Sequence, residues 1–127
     1  MDEGMPLLFE EFTLNPSRPI YEQFVEQIRA RIVSGIIPTG QRLPSVREFA
    51  ADKRVNPTTA ARTYQELERS GLIVTYRGQG TFVTGDMEII GKARAELARA
   101  AVQELKRTAK ALGLSVEEML ELGEKEE

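Results

Sequence analysis

Asn56-Pro57-Thr58-Thr59-Ala60-Ala61-Arg62 is the stretch on which the fold turns. Asn56 carries a side-chain oxygen able to accept from an orphan helical N–H, and Pro57 lacks the N–H that a first helical residue cannot use. The pair predicts a helix opening at Pro57 and running to about Ser70. Tyr64 and Leu67 fall on its core-directed side, while Thr58, Thr59 and Arg62 are left outward. Hydroxyls in a first turn can meet phosphates or base edges, and the small Ala60 and Ala61 permit close approach to a groove.

Working upstream, Ser45-Val46-Arg47-Glu48 has the S-x-x-E spacing of a capping box, so a second helix starts there with Val46, Phe49 and Ala50 inward. Arg47 then sits in a first turn, where a cation opposes the helix dipole by a few tenths of a kcal/mol. A phosphate would offset that, as would a salt bridge to a nearby glutamate. Between Ile36 and Pro44 two prolines and Gly40 impose turns. Earlier still, Ile20, Phe24, Ile28 and Ile32 recur every four residues with Tyr21 and Val25 beside them, from Pro19 to a stop at Ser34-Gly35. That is a core helix.

Downstream, Leu72 to Tyr76 and Thr81 to Val83 are β-rich runs around Arg77-Gly78-Gln79-Gly80, a glycine turn. Gly80 can bring backbone N–H groups near a phosphate, with Arg77 or Gln79 beside it; a plain tight turn explains the same residues. Helix, turns, two-helix unit and hairpin, in that order, make a winged helix-turn-helix, a fold that is mainly α with a small β-hairpin.

Pro19-Ile20-Tyr21-Glu22-Gln23, Gly40 to Glu48, Asn56 to Thr59, Tyr64-Gln65-Glu66-Leu67 and Arg77 to Val83 together resemble the GntR family of bacterial regulators, over about half the chain. A short helical tail in place of a large ligand-binding domain is similar to its YtrA-type branch. The resemblance implies a dimeric transcription factor in which Arg47, Thr58, Thr59 and Gly80 contact DNA. Other branches often place arginine where this chain has Pro57, so that base contact is lost. To these the outward residues Arg42, Ser45, Asn56, Arg62, Arg77 and Gln79 are added as candidates for the DNA face.

Composition narrows the chemistry. The 127 residues contain neither cysteine nor histidine, which removes disulfides, the usual zinc sites, serine triads and histidine acid/base pairs. No cleft of carboxylates, Ser, Tyr or Lys is legible, so an enzyme, a metal site and a cofactor are not expected. Phosphate-loop spacings fail as well: Gly78-Gln79-Gly80 lacks a third glycine, and Gly85 to Lys92 has one residue too many. Apolar runs fall far short of the roughly 20 residues of a membrane span, so a cytoplasmic protein is expected. The net charge is −3, yet Arg42 to Arg77 holds seven basic residues against four acidic ones. Asp2, Glu3, Glu10, Glu11 and nine glutamates beyond Asp86 carry the opposite sign. Such segregation lets one face meet phosphates.

Beyond Asp86 the chain turns to alanine, leucine, lysine and glutamate, and the spacing predicts a helix of roughly 25 residues to Leu112. Ile90, Ala93, Leu97, Ala101, Leu105, Ala109 and Leu112 form one stripe, of which Ile90, Leu97, Ala101, Leu105 and Leu112 are the candidate dimer contacts. Gly113 ends it, and Ser115-Val116-Glu117-Glu118 is a second capping box with Leu114 and Met119 as its staple. The expected organisation is an N-terminal arm over 1–18, a winged helix-turn-helix domain over 19–86 and a helical dimerisation tail over 87–127. The expected function is a sequence-specific, homodimeric regulator, a repressor, on an inverted repeat in double-stranded DNA. A winged module for protein or RNA contacts is the alternative. The sequence identifies no effector.

Overall fold

In the computed structural model residues 12–125 are described; the acidic N-terminal residues and most of the expected arm lie outside them. The elements are α1 (Ile20–Val33), β1 (Arg42–Leu43), α2 (Val46–Lys53), α3 (Pro57–Arg69), β2 (Ile73–Tyr76), β3 (Gly80–Val83), α4 (Met87–Leu112) and α5 (Val116–Gly123). The chain divides into two compact units between Gly91 and Lys92, a point inside α4 and beyond the Asp86 boundary suggested by composition.

In the first unit the four-residue spacing of α1 does what it predicts: Phe24, Ile28 and Ile32 are buried. α1 and α2 both pack on α3, whose inward residues Ala60, Tyr64 and Leu67 are buried with Phe49 and Ala50 of α2. A series of rings runs through this core, Phe12 to Phe24 at 5.4 Å and Phe24 to Phe49 at 5.1 Å edge-to-face, and Phe49 to Tyr64 tilted at 5.7 Å between centroids. Each ring buries apolar area that would cost about 3–5 kcal/mol to lose on truncation to alanine.

Phe12 belongs to this core, although it lies in the stretch expected to be an arm. Gln23 of α1, itself buried, explains why: its amide accepts from the Asn15 N–H at 2.6 Å and donates to the Asn15 and Arg18 carbonyls at 2.7 and 3.1 Å. Those bonds hold the segment before α1 against the helix, and Phe12 seals the end under the Arg31 guanidinium and Lys53 ammonium, 4.2 and 4.7 Å from its ring centre.

The hairpin is part of a three-stranded antiparallel sheet in the order β1-β3-β2. Arg42 pairs with Phe82 and Leu43 with Thr81 on one side of β3, while Val74 pairs with Phe82 and Tyr76 with Gly80 on the other. The turn-rich stretch before α2 therefore contains a strand of two residues. Its pairing partner is β3, nearly forty residues away in sequence, and two residues are too few to show alternation.

In the second unit α4 ends in a Schellman motif. Gly113 adopts φ 73°, its N–H bonds to the Lys110 carbonyl at 3.1 Å, and the Leu114 N–H bonds to the Ala109 carbonyl at 2.9 Å. The chain then enters α5 through a complete capping box: Ser115 Oγ accepts from the Glu118 N–H at 3.0 Å, and the Glu118 carboxylate accepts from the Ser115 N–H at 2.9 Å.

Candidate nucleic-acid interface

The start of α2 is built by the capping box. Ser45 Oγ accepts from the Glu48 N–H at 3.1 Å and Glu48 Oε1 accepts from the Ser45 N–H at 2.8 Å. Those bonds hold the Glu48 carboxyl below its ordinary range, with the nearby Arg42 charge adding to the effect. Ser45 is thus first a capping residue, with only its hydroxyl proton left for an outside acceptor. Arg47, one residue into the helix beyond Val46, is exposed.

Asn56 Oδ1 accepts from the Thr58 N–H at 2.8 Å, which makes Asn56 the cap of α3 in the way its sequence context predicts. Thr58 is exposed; Thr59 is half-buried, and its carbonyl accepts the Thr63 hydroxyl at 2.9 Å. The two helices are joined by Tyr64, whose hydroxyl donates to the Pro44 carbonyl at 2.6 Å. Burial pushes this phenol far above its usual range, so it remains a donor. One bond therefore ties α3 to the residue before the α2 cap.

Arg62 does not stand clear of the fold. Its guanidinium lies 3.9 Å from the ring centre of Tyr21 on α1, a contact that spacing within α3 could not reveal. Arg77 and Gln79 are exposed in the hairpin turn, which the Gln79 N–H closes on the Tyr76 carbonyl at 2.9 Å. Gly80 has φ 121°, and a Cβ there would lie 3.1 Å from Arg42 Nε; Arg42 and Gly80, far apart in sequence, are neighbours.

Charge pairing sorts the cations of this unit. Lys53 pairs with Asp52 at 3.4 Å and Arg69 with Glu66 at 3.0 Å. Arg42, Arg47, Arg54, Arg62 and Arg77 form no ion pair among the described residues. Arg54 was not among the expected contacts. It occupies the turn between α2 and α3 with φ 55°, the one positive φ outside glycine among the described residues.

The candidate dimer stripe behaves unevenly. Ile90 is only 2% exposed within the single chain, so it serves the chain's own core and is withdrawn from the dimer contacts. Its neighbour Ile89 lies against Gly71, where a Cβ would come 3.2 Å from Ile89 Cδ1. Leu97 and Leu105 are half-buried, Ala101 is exposed and Leu112 is 62% exposed. Val102, Leu120 and Leu122 add exposed apolar surface to the same unit. Among the described residues no helix is long and apolar enough to cross a membrane.

Residues 20–83 match the family model described as bacterial regulatory proteins, gntR family. A Bacillus subtilis protein, the uncharacterized HTH-type transcriptional regulator YhcF, is 46% identical over 105 residues, which cover 83% of this chain and 87% of that protein. The HTH-type transcriptional repressor YtrA of the same organism is 47% identical over 68 residues, 54% of this chain and 52% of that one. Among solved structures, a GntR family transcriptional regulator from Listeria monocytogenes superposes with a TM-score of 0.81 at 36% identity, covering 90% of this chain and 100% of its own. With the winged helix-turn-helix in place and the likeness extending into the tail, the chain belongs to the gntR family of DNA-binding transcriptional regulators, in its YtrA-type branch.

Proposed function

We propose that the protein is a homodimeric repressor that reads an inverted-repeat operator, each copy placing α3 in the major groove and its hairpin on the adjoining backbone. The observation that carries this reading is the charge sorting of the first unit: Arg42, Arg47 and Arg77 are exposed without ion pairs, at the starts and turns that frame the capped opening of α3. Helix N-termini and unpaired guanidinium groups are the fittings that hold phosphates and fix register. The name of the B. subtilis relative YtrA, a repressor, supports the direction of control. Exposed Leu112, Leu120, Leu122 and Val102 supply apolar surface for a second copy of the chain, and two-fold symmetry would then be mirrored in the operator.

Selection of duplexes by the purified protein, followed by sequencing and binding titrations, tests the reading. An enriched inverted repeat is expected, with affinity falling about 10³–10⁵-fold between 50 and 200 mM salt if roughly 6–10 phosphates are contacted. Thr58→Ala or Thr59→Ala should cost roughly 1–3 kcal/mol of discrimination at an edge contact, whereas Asn56→Ala should cost about 1 kcal/mol of stability. No enrichment and a flat salt response would reject DNA as the partner and leave protein or RNA recognition.

A further inference from the structure

The sheet of the first unit has two faces. Alternation along β2 sends Ile73 and Thr75 one way and Val74 and Tyr76 the other, and the pairing of Val74 with Phe82 and Tyr76 with Gly80 carries the division into β3. Ile73 and Val83 are buried, so theirs is the core side. The outer side collects Val74, Tyr76, Gly80 and Phe82, and Arg42 joins them because its strand partner is Phe82.

Two observations on this outer face go together. Tyr76, at the tip end of β2, is 52% exposed, its ring leaning on Phe82 with centroids 5.9 Å apart and planes at 54°. Across the sheet, the Arg42 guanidinium occupies the notch left by the missing side chain of Gly80: a Cβ there would be 3.1 Å from Nε and 3.4 Å from Nη2. Gly80 is also the register partner of Tyr76. A guanidinium and a phenol thus share one exposed face on either side of β3, and Arg77 follows directly in the turn. Glu48, whose carboxyl feels Arg42, is occupied by the Ser45 N–H and forms no ion pair with it.

The chemistry suits one occupant. A guanidinium fork and a phenolic O–H both offer donors to anionic oxygens, and an aromatic ring can cover the apolar face of a deoxyribose. Neighbouring cations without a matching acidic patch favour a polyanion over a second protein surface. We propose that Tyr76 is a further DNA-contact residue, its hydroxyl taking the same stretch of sugar-phosphate backbone as the guanidinium that Gly80 seats. This rests on the DNA-binding reading above and assigns Gly80 a role of making room, beyond lending its N–H.

The experiment is a set of binding titrations with labelled duplexes, both selected and random, at 50 to 200 mM salt, on the full chain, Tyr76→Ala, Tyr76→Phe, Arg42→Ala and Arg47→Ala, with thermal melts on each. Tyr76→Ala should weaken both duplex classes by roughly tenfold per half-site, as expected for the loss of one hydrogen bond to a charged oxygen from each copy. Its salt slope should match the wild type, since the side chain is neutral, whereas Arg42→Ala, which removes one contact in each half-site of the proposed dimer, should lower the slope by about two. Combined, the two substitutions should lose less than the product of their separate effects, because they serve one site. Tyr76→Phe, which keeps the ring and hence the packing on Phe82, should retain only part of the affinity. Wild-type affinity in Tyr76→Ala, with Arg47→Ala still impaired, would overturn the Tyr76 assignment and leave DNA binding intact. Should Tyr76→Ala melt early, Tyr76→Phe decides: wild-type affinity there overturns the hydroxyl contact. Failure of the wild-type chain to bind any duplex would overturn both readings together.

Discussion

The Tyr64 hydroxyl of α3 reaches the Pro44 carbonyl just ahead of α2, 20 residues back along the chain, and the bond is buried. Proline has no N–H to spare, but its carbonyl must be satisfied once water is excluded, and the phenol is the group that does it. The bond thereby fastens the lead-in to α2 onto α3, beside the Phe49–Tyr64 ring contact that already joins the two helices.

Tyr64→Phe should destabilise the fold by about 1–3 kcal/mol, the cost of leaving a buried carbonyl without its donor. Urea denaturation followed by circular dichroism measures it. A change below a few tenths of a kcal/mol would mean that another donor reaches Pro44.

Acid should weaken both capping boxes. The Glu48 and Glu118 carboxyls are held below their ordinary value of 4.5, chiefly by the backbone hydrogen bonds at Ser45 and Ser115. An unfolded chain returns each group to that value and so binds more protons as pH falls. The stabilisation is therefore complete above about pH 4.5 and declines below it, as each folded-state value is passed. Melting temperature between pH 6 and 3 should drop in the wild type and drop less in Glu48→Gln/Glu118→Gln, where the amide still fills the box without titrating.

Arg54 holds a left-handed conformation that disfavours any residue with a Cβ by about 1–2 kcal/mol. Glycine would relieve that strain but widen the unfolded ensemble, so Arg54→Gly should leave stability unchanged or raise it by up to about 1 kcal/mol. If the same variant also binds duplex DNA more weakly, the arginine was kept for its charge. Denaturation and binding curves on one preparation separate the two effects.

The tail beyond Gly91 should be dispensable for folding and necessary for pairing. Because Ile89 and Ile90 serve the first unit, a truncation after Gly91 should fold, whereas one after Asp86 should lose their packing. Light scattering is expected to give a dimer for the full chain and a monomer for the truncation or for Leu112→Glu/Leu122→Glu. A full chain that stays monomeric at tens of micromolar while holding full operator affinity would sink the dimer.

Most of the helical framework was legible because it rests on local signals. The four-residue stripe of α1, the Ser-x-x-Glu boxes of α2 and α5, and the Asn-Pro start of α3 locate those helices within a residue or so of where they lie. What escaped was set by distant partners. Phe12 lies ahead of two prolines in a stretch with no regular apolar spacing, and nothing nearby says that it will pack on Phe24 of α1. β1 exists only because β3 pairs with it. The candidate site shows the same split: its residue types were readable, but the seating of Arg42 over Gly80 and of Arg62 on Tyr21 depends on tertiary register.

The two-residue strand β1 has a consequence for the thermodynamics of recognition. It hydrogen-bonds to β3 of the wing and leads within three residues into α2, whose lead-in Tyr64 fastens to α3. Hairpin, α2 and α3 are therefore preorganised as one body, and on the proposed reading their ordering entropy is spent during folding. Association with a half-site should proceed without a slow isomerisation, its rate set by electrostatic encounter and falling with ionic strength. Affinity differences between operators should then reside in how long the complex lasts.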